Sequence, residues 1–304
     1  MVAPNAARPA GETVGSGSEA LAANRRRRKA PSKRTPRNLG RNLPVAIAVS
    51  LVMGGLLLAS LYVQPSIFVG LAAVAALLGV SELVQAFGAR GITMPGILLG
   101  IAAVATLVAA YAGGEPALLA AFTLSVLGVA AWRGVKGPEG FVRDATAAFF
   151  TLAYVPLLTG FALLSLRADD GPDRVVVFVL AVVANDVGGY ATGVLFGRHK
   201  LAPRVSPGKT WEGLAGSLVV AAAGTAASVA WLLDGPVWAG ALLGVACCLT
   251  ATAGDLAESL IKRDLGIKDM GTLLPGHGGV MDRLDSLLPT APVAYLLIEY
   301  VVLR

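Results

Sequence analysis

The charged residues near the C-terminus fall at spacings that could bind a metal ion and a phosphate. Asp255, Glu258, Ser259 and Lys262 lie at i, i+3, i+4 and i+7, so on a helix they share one face. Asp282 and Asp285 are three apart and share another. If the polar stretch between them folds back, the two faces meet. Carboxylates that converge without a matching cation are the usual means of holding Mg²⁺, which takes oxygen ligands and keeps positions open for phosphate oxygens. Lys262, Arg263, Lys268 and Arg283 would surround that ion with positive charge suited to a polyphosphate. His277 stands in the run Pro275-Gly276-His277-Gly278-Gly279, where glycines permit close backbone approach and free N–H groups for anion contact. Any one of these side chains would pass as a membrane-edge anchor or its counter-ion. The whole set, in a chain poor in charge, marks a site.

A second constellation precedes it. Asn185-Asp186 interrupts an apolar stretch, and a carboxylate at bilayer depth costs about 2.5–3.5 kcal/mol on insertion scales. Such a residue is expected to face a wet cavity and to act there. Gly189, Gly193 and Gly197 follow at four-residue spacing, which reads as a helix-packing stripe. Ser206-Pro207-Gly208-Lys209-Thr210 comes next. It is not a Walker A loop, since no glycine stands five residues before Gly208 and no soluble strand precedes it. Hydroxyls, a lysine and the opening amides of a helix could still grip a phosphate; a helix cap with an anchoring lysine is the equal alternative on spacing alone. His199 reads as interfacial, and His277 is the stronger candidate for chemistry.

The elements that must position these residues are membrane helices. The chain has 304 residues, 55% hydrophobic and 14% charged, with mean hydropathy +0.70. A soluble domain carries about a quarter charged residues, so the apolar surplus must face lipid. Nine spans are expected, at 43–63, 66–87, 95–113, 116–132, 144–166, 174–197, 212–233, 237–261 and 285–303, each near the length a bilayer needs. With the N-terminus inside, alternation places 22 of the 25 Lys/Arg in inner segments, in accord with the positive-inside rule. The polar segments 198–211 and 262–284 then both lie in the cytoplasm. Residues 1–42 carry ten Lys/Arg and no apolar period, so a disordered tail is expected. It sets topology or touches anionic headgroups. Cys247 and Cys248 are adjacent in an apolar run and read as small packing residues.

The segment Ser259-x-Ile261-Lys262-Arg263-x₄-Lys268-Asp269-x-Gly271-x₂-Leu274-Pro275-x-His277-Gly278-Gly279-Val280-x-Asp282-Arg283-Leu284-Asp285 resembles the signature of the phosphatidate cytidylyltransferases, or CDP-diacylglycerol synthases, across all 27 positions. Asn185-Asp186, Phe196-Gly197 and Ser206-Pro207-x-Lys209-Thr210-x-Glu212-Gly213 resemble the same family. The resemblance covers about 180–286. It implies an all-α polytopic integral membrane protein of the cell (inner) membrane with about nine helices and an interfacial cytoplasmic active site. Beyond the tail at 1–42, it divides the chain into N-terminal helices at 43–170 and a catalytic region at 171–304. It implies that CTP and phosphatidate give CDP-diacylglycerol and pyrophosphate, with Mg²⁺ as cofactor; a second, monovalent cation such as K⁺ belongs to the family's range. The residue roles it implies are as follows. Asp255 and Asp282 hold the metal, with Asp186 or Asp285 as further ligand or support. Lys262, Lys268 and Arg283 neutralise phosphates, Arg263 adds to that charge, and Asn185 lines the substrate site. Ser206, Lys209 and Thr210 bind a phosphate of lipid or nucleotide. His277 positions the triphosphate or protonates the leaving pyrophosphate. Membrane lipids and a second copy in a homodimer are the expected partners, with no nucleic acid. The rival readings are another CTP-dependent lipid enzyme, such as a polyprenol kinase, and a transporter; a transporter would show internal repeats, and none is visible.

Overall fold

The computed structural model describes residues 43–271 and 278–303, with side chains from Val52 onward apart from Met53. The basic tail and the segment with Gly276 and His277 therefore lie outside the described residues. The chain divides into two compact units, 1–52 and 53–304. Helix α1 (Leu43–Val63) begins in the first. The second holds α2 (Pro65–Gly88), α3 (Gly96–Gly134), α4 (Phe141–Leu166), α5 (Gly171–Phe196), strands β1 (Lys200–Ala202) and β2 (Ser206–Thr210), then α6 (Trp211–Leu232), α7 (Val237–Asp264) and α8 (Met281–Val302).

Seven of the described helices, α2 to α8, are long and apolar enough to cross a membrane. Their limits fall where the backbone chemistry changes. Gln64 is extended and Pro65 opens α2, a position where its missing N–H costs nothing. Gly140, left-handed at φ 69, turns the chain into α4. Pro156 sits in a wide π turn at Ala153–Leu157, which accommodates the absent donor. α8 starts as the short turn Met281–Leu284 and resumes at Leu287.

The expected third and fourth spans form one element with a break. α3 has 39 residues, and Gly114 inside it adopts φ 73, ψ −160. A straight helix of that length would run about 58 Å. Yet Asp144 accepts both from Thr93 N, three residues before the start of α3, at 3.2 Å and from Arg133 Nε, next to its last residue, at 3.0 Å. The element therefore folds back at Gly114 into two legs. A residue with a Cβ rarely takes this conformation.

Contacts sort the helix ends into two sets. At one end, Tyr62 donates to Asp173 (2.5 Å), Arg174 pairs with Asp170 and Glu299 (both 2.6 Å), and Tyr295 donates to Glu115 (2.6 Å). At the other, Arg90 donates to Leu265 O (2.9 Å), Asp144 ties α3 to α4, and the β-hairpin meets α7. Of the Lys/Arg between 43 and 303, only Arg167 and Arg174 belong to the first set. The all-α expectation needs one amendment. The segment after α5 forms an antiparallel hairpin, Lys200 opposite Thr210 and Ala202 opposite Ser206. Its short strands carry no alternation that a sequence pattern could register.

Candidate active site

Four elements enclose a cavity of about 310 Å³ at the lysine-rich end. α5 contributes Asn185, Asp186, Gly189 and Tyr190; the hairpin contributes Leu201, Lys209 and Thr210; α6 adds Ser217, and α7 adds Thr252 and Asp255. Asp186 lies ten residues before the end of α5 and Asp255 nine before the end of α7. At 1.5 Å per residue the cavity thus reaches about 14 Å below the helix ends. That depth explains how a carboxylate can sit mid-span: it faces a polar recess.

The hairpin is fixed from both strands. Thr210 caps α6, its Oγ1 accepting from Gly213 N at 3.1 Å. Glu212, the second residue of α6, accepts from Arg198 N (3.1 Å) and His199 N (3.2 Å) and meets His199 Nδ1 at 2.6 Å. Lys209 is thereby aimed into the cavity, where Nζ stands 2.5 Å from Asp255 Oδ2. Asp186 has Lys209 and Arg283 within electrostatic reach. Asn185 is buried, its backbone carbonyl accepting from Ser217 Oγ at 2.6 Å. The glycine stripe of α5 serves packing, as expected, and also lines the cavity. A Cβ at Gly189 would stand 2.6 Å from Ser217 Oγ, and one at Gly197 would crowd Thr210.

A second group adjoins the first along α7. Lys262 Nζ bridges Glu258 (2.9 Å) and Asp282 (2.8 Å). Asp282 is fully occupied, because its Oδ2 also accepts from Met270 N (2.9 Å) and Gly279 N (2.8 Å). Asp285 has Asp255 and Glu258 within electrostatic reach. Gly254 makes this possible: a Cβ there would overlap the Asp285 carbonyl and stand 2.7 Å from Pro289 Cγ. Only a bare backbone lets α8 approach α7 this closely.

The predicted residues thus separate into three sets. Asn185, Asp186, Lys209, Thr210 and Asp255 share the cavity. Lys262, Asp282 and Asp285 form the adjoining cluster, with Arg283 exposed beside them. Ser206 pairs with Ala202 outside the cavity lining, Arg263 donates to Val205 O (3.4 Å) to fasten the hairpin to α7, and Lys268 is exposed. Sequence reasoning passed over Tyr190, Ser217, Thr252 and Glu82. Thr252 was recoverable, being one turn before Asp255 on the same face. Glu82 was recoverable as a carboxylate within an apolar span.

Whether these residues suit Mg²⁺ can be judged from their donors. Among the described residues, the buried oxygens Asn185 Oδ1 and Glu258 Oε1 have no hydrogen-bond partner, and the carboxylates of Asp186, Asp255 and Asp285 stand nearby. Among the described residues no three His, Cys, Asp or Glu are gathered closely enough to enclose an ion. Mg²⁺ commonly takes one or two carboxylates and completes its shell with water and phosphate oxygens. The all-oxygen set fits that mode of binding.

The model of the cytidylyltransferase family matches residues 44–301. The phosphatidate cytidylyltransferase of Mycobacterium leprae (strain TN) is 44% identical over 283 residues, covering 88% of this chain and 90% of that protein. That of Mycobacterium tuberculosis (strain ATCC 25618 / H37Rv) is 40% identical over 298 residues, covering 94% and 90%. That of Brucella suis biovar 1 is 44% identical over 143 residues, 45% of this chain and 53% of its own length.

Proposed function

The chain belongs to the cytidylyltransferase family, and from that premise we propose that it is a phosphatidate cytidylyltransferase. It transfers CMP from CTP to phosphatidate, giving CDP-diacylglycerol and pyrophosphate. The observation that carries the reading is the Lys209–Asp255 contact across a cavity of carboxylates, hydroxyls and amide at the lysine-rich end. It sets phosphate-binding and cation-binding groups in one recess.

In the reaction a phosphate oxygen of phosphatidate attacks the α-phosphorus of CTP, and the bond from that phosphorus to the bridging oxygen of the β-phosphate breaks. The nucleophile is already anionic at neutral pH, so no strong base is required. What the protein supplies is alignment and charge neutralisation. Lys209 and Arg283 meet phosphate oxygens, and the hydroxyls of Thr210, Ser217 and Thr252 orient them. Asp255, with either Asp186 or Asp285 beside it, would hold Mg²⁺, which when bound neutralises the triphosphate. Lys262, held between Glu258 and Asp282, keeps α7 and the start of α8 in register.

The lysine-rich end faces the cytoplasm in this reading, on the strength of the charge asymmetry. The fold-back at Gly114, together with α1, supports nine crossings. Purified protein given CTP and phosphatidate should release pyrophosphate and form CDP-diacylglycerol, and chelation of divalent metal should abolish both. Product formed at full rate in excess chelator would remove the metal from this scheme; no product under any metal would remove the reaction.

A further inference from the structure

One buried carboxylate has no part in the chemistry above. Glu82 lies on α2, in the N-terminal half, and is 6% exposed. Its two oxygens accept from consecutive backbone amides at the start of α8: Oε1 from Val280 N at 2.9 Å and Oε2 from Met281 N at 2.8 Å. Two glycines press against the same carboxylate. A Cβ at Gly271 would overlap Oε1, and a Cβ at Gly279 would stand 2.5 Å from Oε2.

Gly279 itself and Met270, the residue before Gly271, are bound to Asp282. Met270 N and Gly279 N both donate to its Oδ2, while Oδ1 meets Lys262. Two carboxylates, one from α2 and one from the signature segment, therefore hold residues 270–271 and 279–281 side by side. The orientation of Asp282 depends on amides whose own positions are set against Glu82. Asp285 follows one turn later, next to Glu258 and Asp255.

We propose that Glu82 is a positioning residue for the active site: by gripping the amides of Val280 and Met281 it holds Asp282 on Lys262 and Asp285 beside Asp255. This inference rests on the cytidylyltransferase reading. The geometry calls for a carboxylate in particular. Glutamine offers one accepting oxygen and would turn an NH₂ toward the other N–H donor. Aspartate is one methylene short of both.

The test is a double-substitution cycle on the full chain in detergent, with Glu82→Gln, Glu82→Ala, Gly279→Ala and Glu82→Ala/Gly279→Ala. Turnover and melting temperature are both recorded. We expect Glu82→Gln to lower kcat at least about tenfold, the scale seen when supporting hydrogen bonds at a reactive centre are lost. KM for CTP should stay within about twofold, and the melting temperature should remain near the parent's. Gly279→Ala should lower kcat comparably in the parent. In the Glu82→Ala background, where the space is vacated, it should cost less than about twofold more. Parental kcat in Glu82→Gln, or an equal effect of Gly279→Ala in both backgrounds, would overturn the proposal. A parent protein that makes no CDP-diacylglycerol would defeat the reaction instead. The melting-temperature cycle then judges Glu82: coupling between positions 82 and 279 upholds the grip on the α8 amides, and additivity refutes it.

Discussion

Lys209 and Asp255 come from the hairpin and from α7, and their charged atoms meet at 2.5 Å inside the cavity. A cation binding at Asp255 must compete with that ammonium, while a bound triphosphate would draw the ammonium away. The two residues should therefore shift metal dependence in opposite directions. Asp255→Asn removes a ligand and should raise the half-saturating Mg²⁺ concentration by about tenfold; Lys209→Met removes a competitor and should lower it by a similar factor. Tenfold corresponds to about 1.4 kcal/mol, within what one charge at this range contributes. Both variants should lose turnover, since one deletes the carboxylate proposed to hold the metal and the other a cation facing phosphate. Magnesium titrations of pyrophosphate release decide the matter, and a shift of the same sign in both would refute the competition. Lys262 differs in kind. It is the cation between Glu258, whose side chain is 0% exposed, and Asp282 at 8%. Lys262→Met leaves both carboxylates buried without their counter-ion, a change that costs about 3–5 kcal/mol elsewhere. Lower yield and melting temperature are expected, not a changed metal requirement. The sequence placed Lys262 at a phosphate because spacing shows which residues share a face, but not which opposite charge will occupy one of them.

At the scale of elements, legibility followed the strength of the local signal. Helix limits at Gln64-Pro65 and near Pro172 were readable because Pro restricts the backbone regardless of context. The meeting of the Asp255 and Asp285 faces was readable from periodicity. The hairpin was not, since strands of three and five residues are too short to show a pattern and are held by single side chains, Thr210 and Glu212. Glu82 could be singled out as a carboxylate in an apolar span, but its role could not: its partners are backbone amides nearly 200 positions away, and no residue type announces them. Gly254 gives an element-scale test. Gly254→Ala drives a methyl into the Asp285 carbonyl and Pro289, neither of which can rotate aside, so α8 must move off α7. Activity should fall at least about tenfold, as misplacement of about 1 Å does elsewhere. Gly128→Ala, on the second leg of α3 with open space around it, should leave turnover and stability within about 0.5 kcal/mol of the parent. Equal behaviour of the two variants in a turnover assay would show that the α7–α8 approach is not what sets the site.

At the scale of the whole molecule, the question is how the helix ends are distributed across the bilayer. Fold-back at Gly114 makes a specific claim about α3. If its 39 residues crossed once, Ala112 would lie near mid-bilayer, shielded from water-soluble reagents. If two legs meet at Gly114, Ala112 emerges at the same surface as Asp169, opposite Glu139. All three positions are exposed on the protein, and the native Cys247 and Cys248 are both 0% exposed, so single cysteines can be read against a silent background. With a membrane-impermeant maleimide on intact cells, Ala112→Cys and Asp169→Cys should label directly. Glu139→Cys should label only after permeabilisation, because twelve of the fourteen Lys/Arg in the span region lie at its end and positive charge is retained inside. An unreactive Ala112→Cys beside a reactive Asp169→Cys would reduce α3 to one crossing. Direct labelling of Glu139→Cys with Asp169→Cys silent would invert the molecule and place the Lys209–Asp255 cavity on the side away from cytoplasmic CTP.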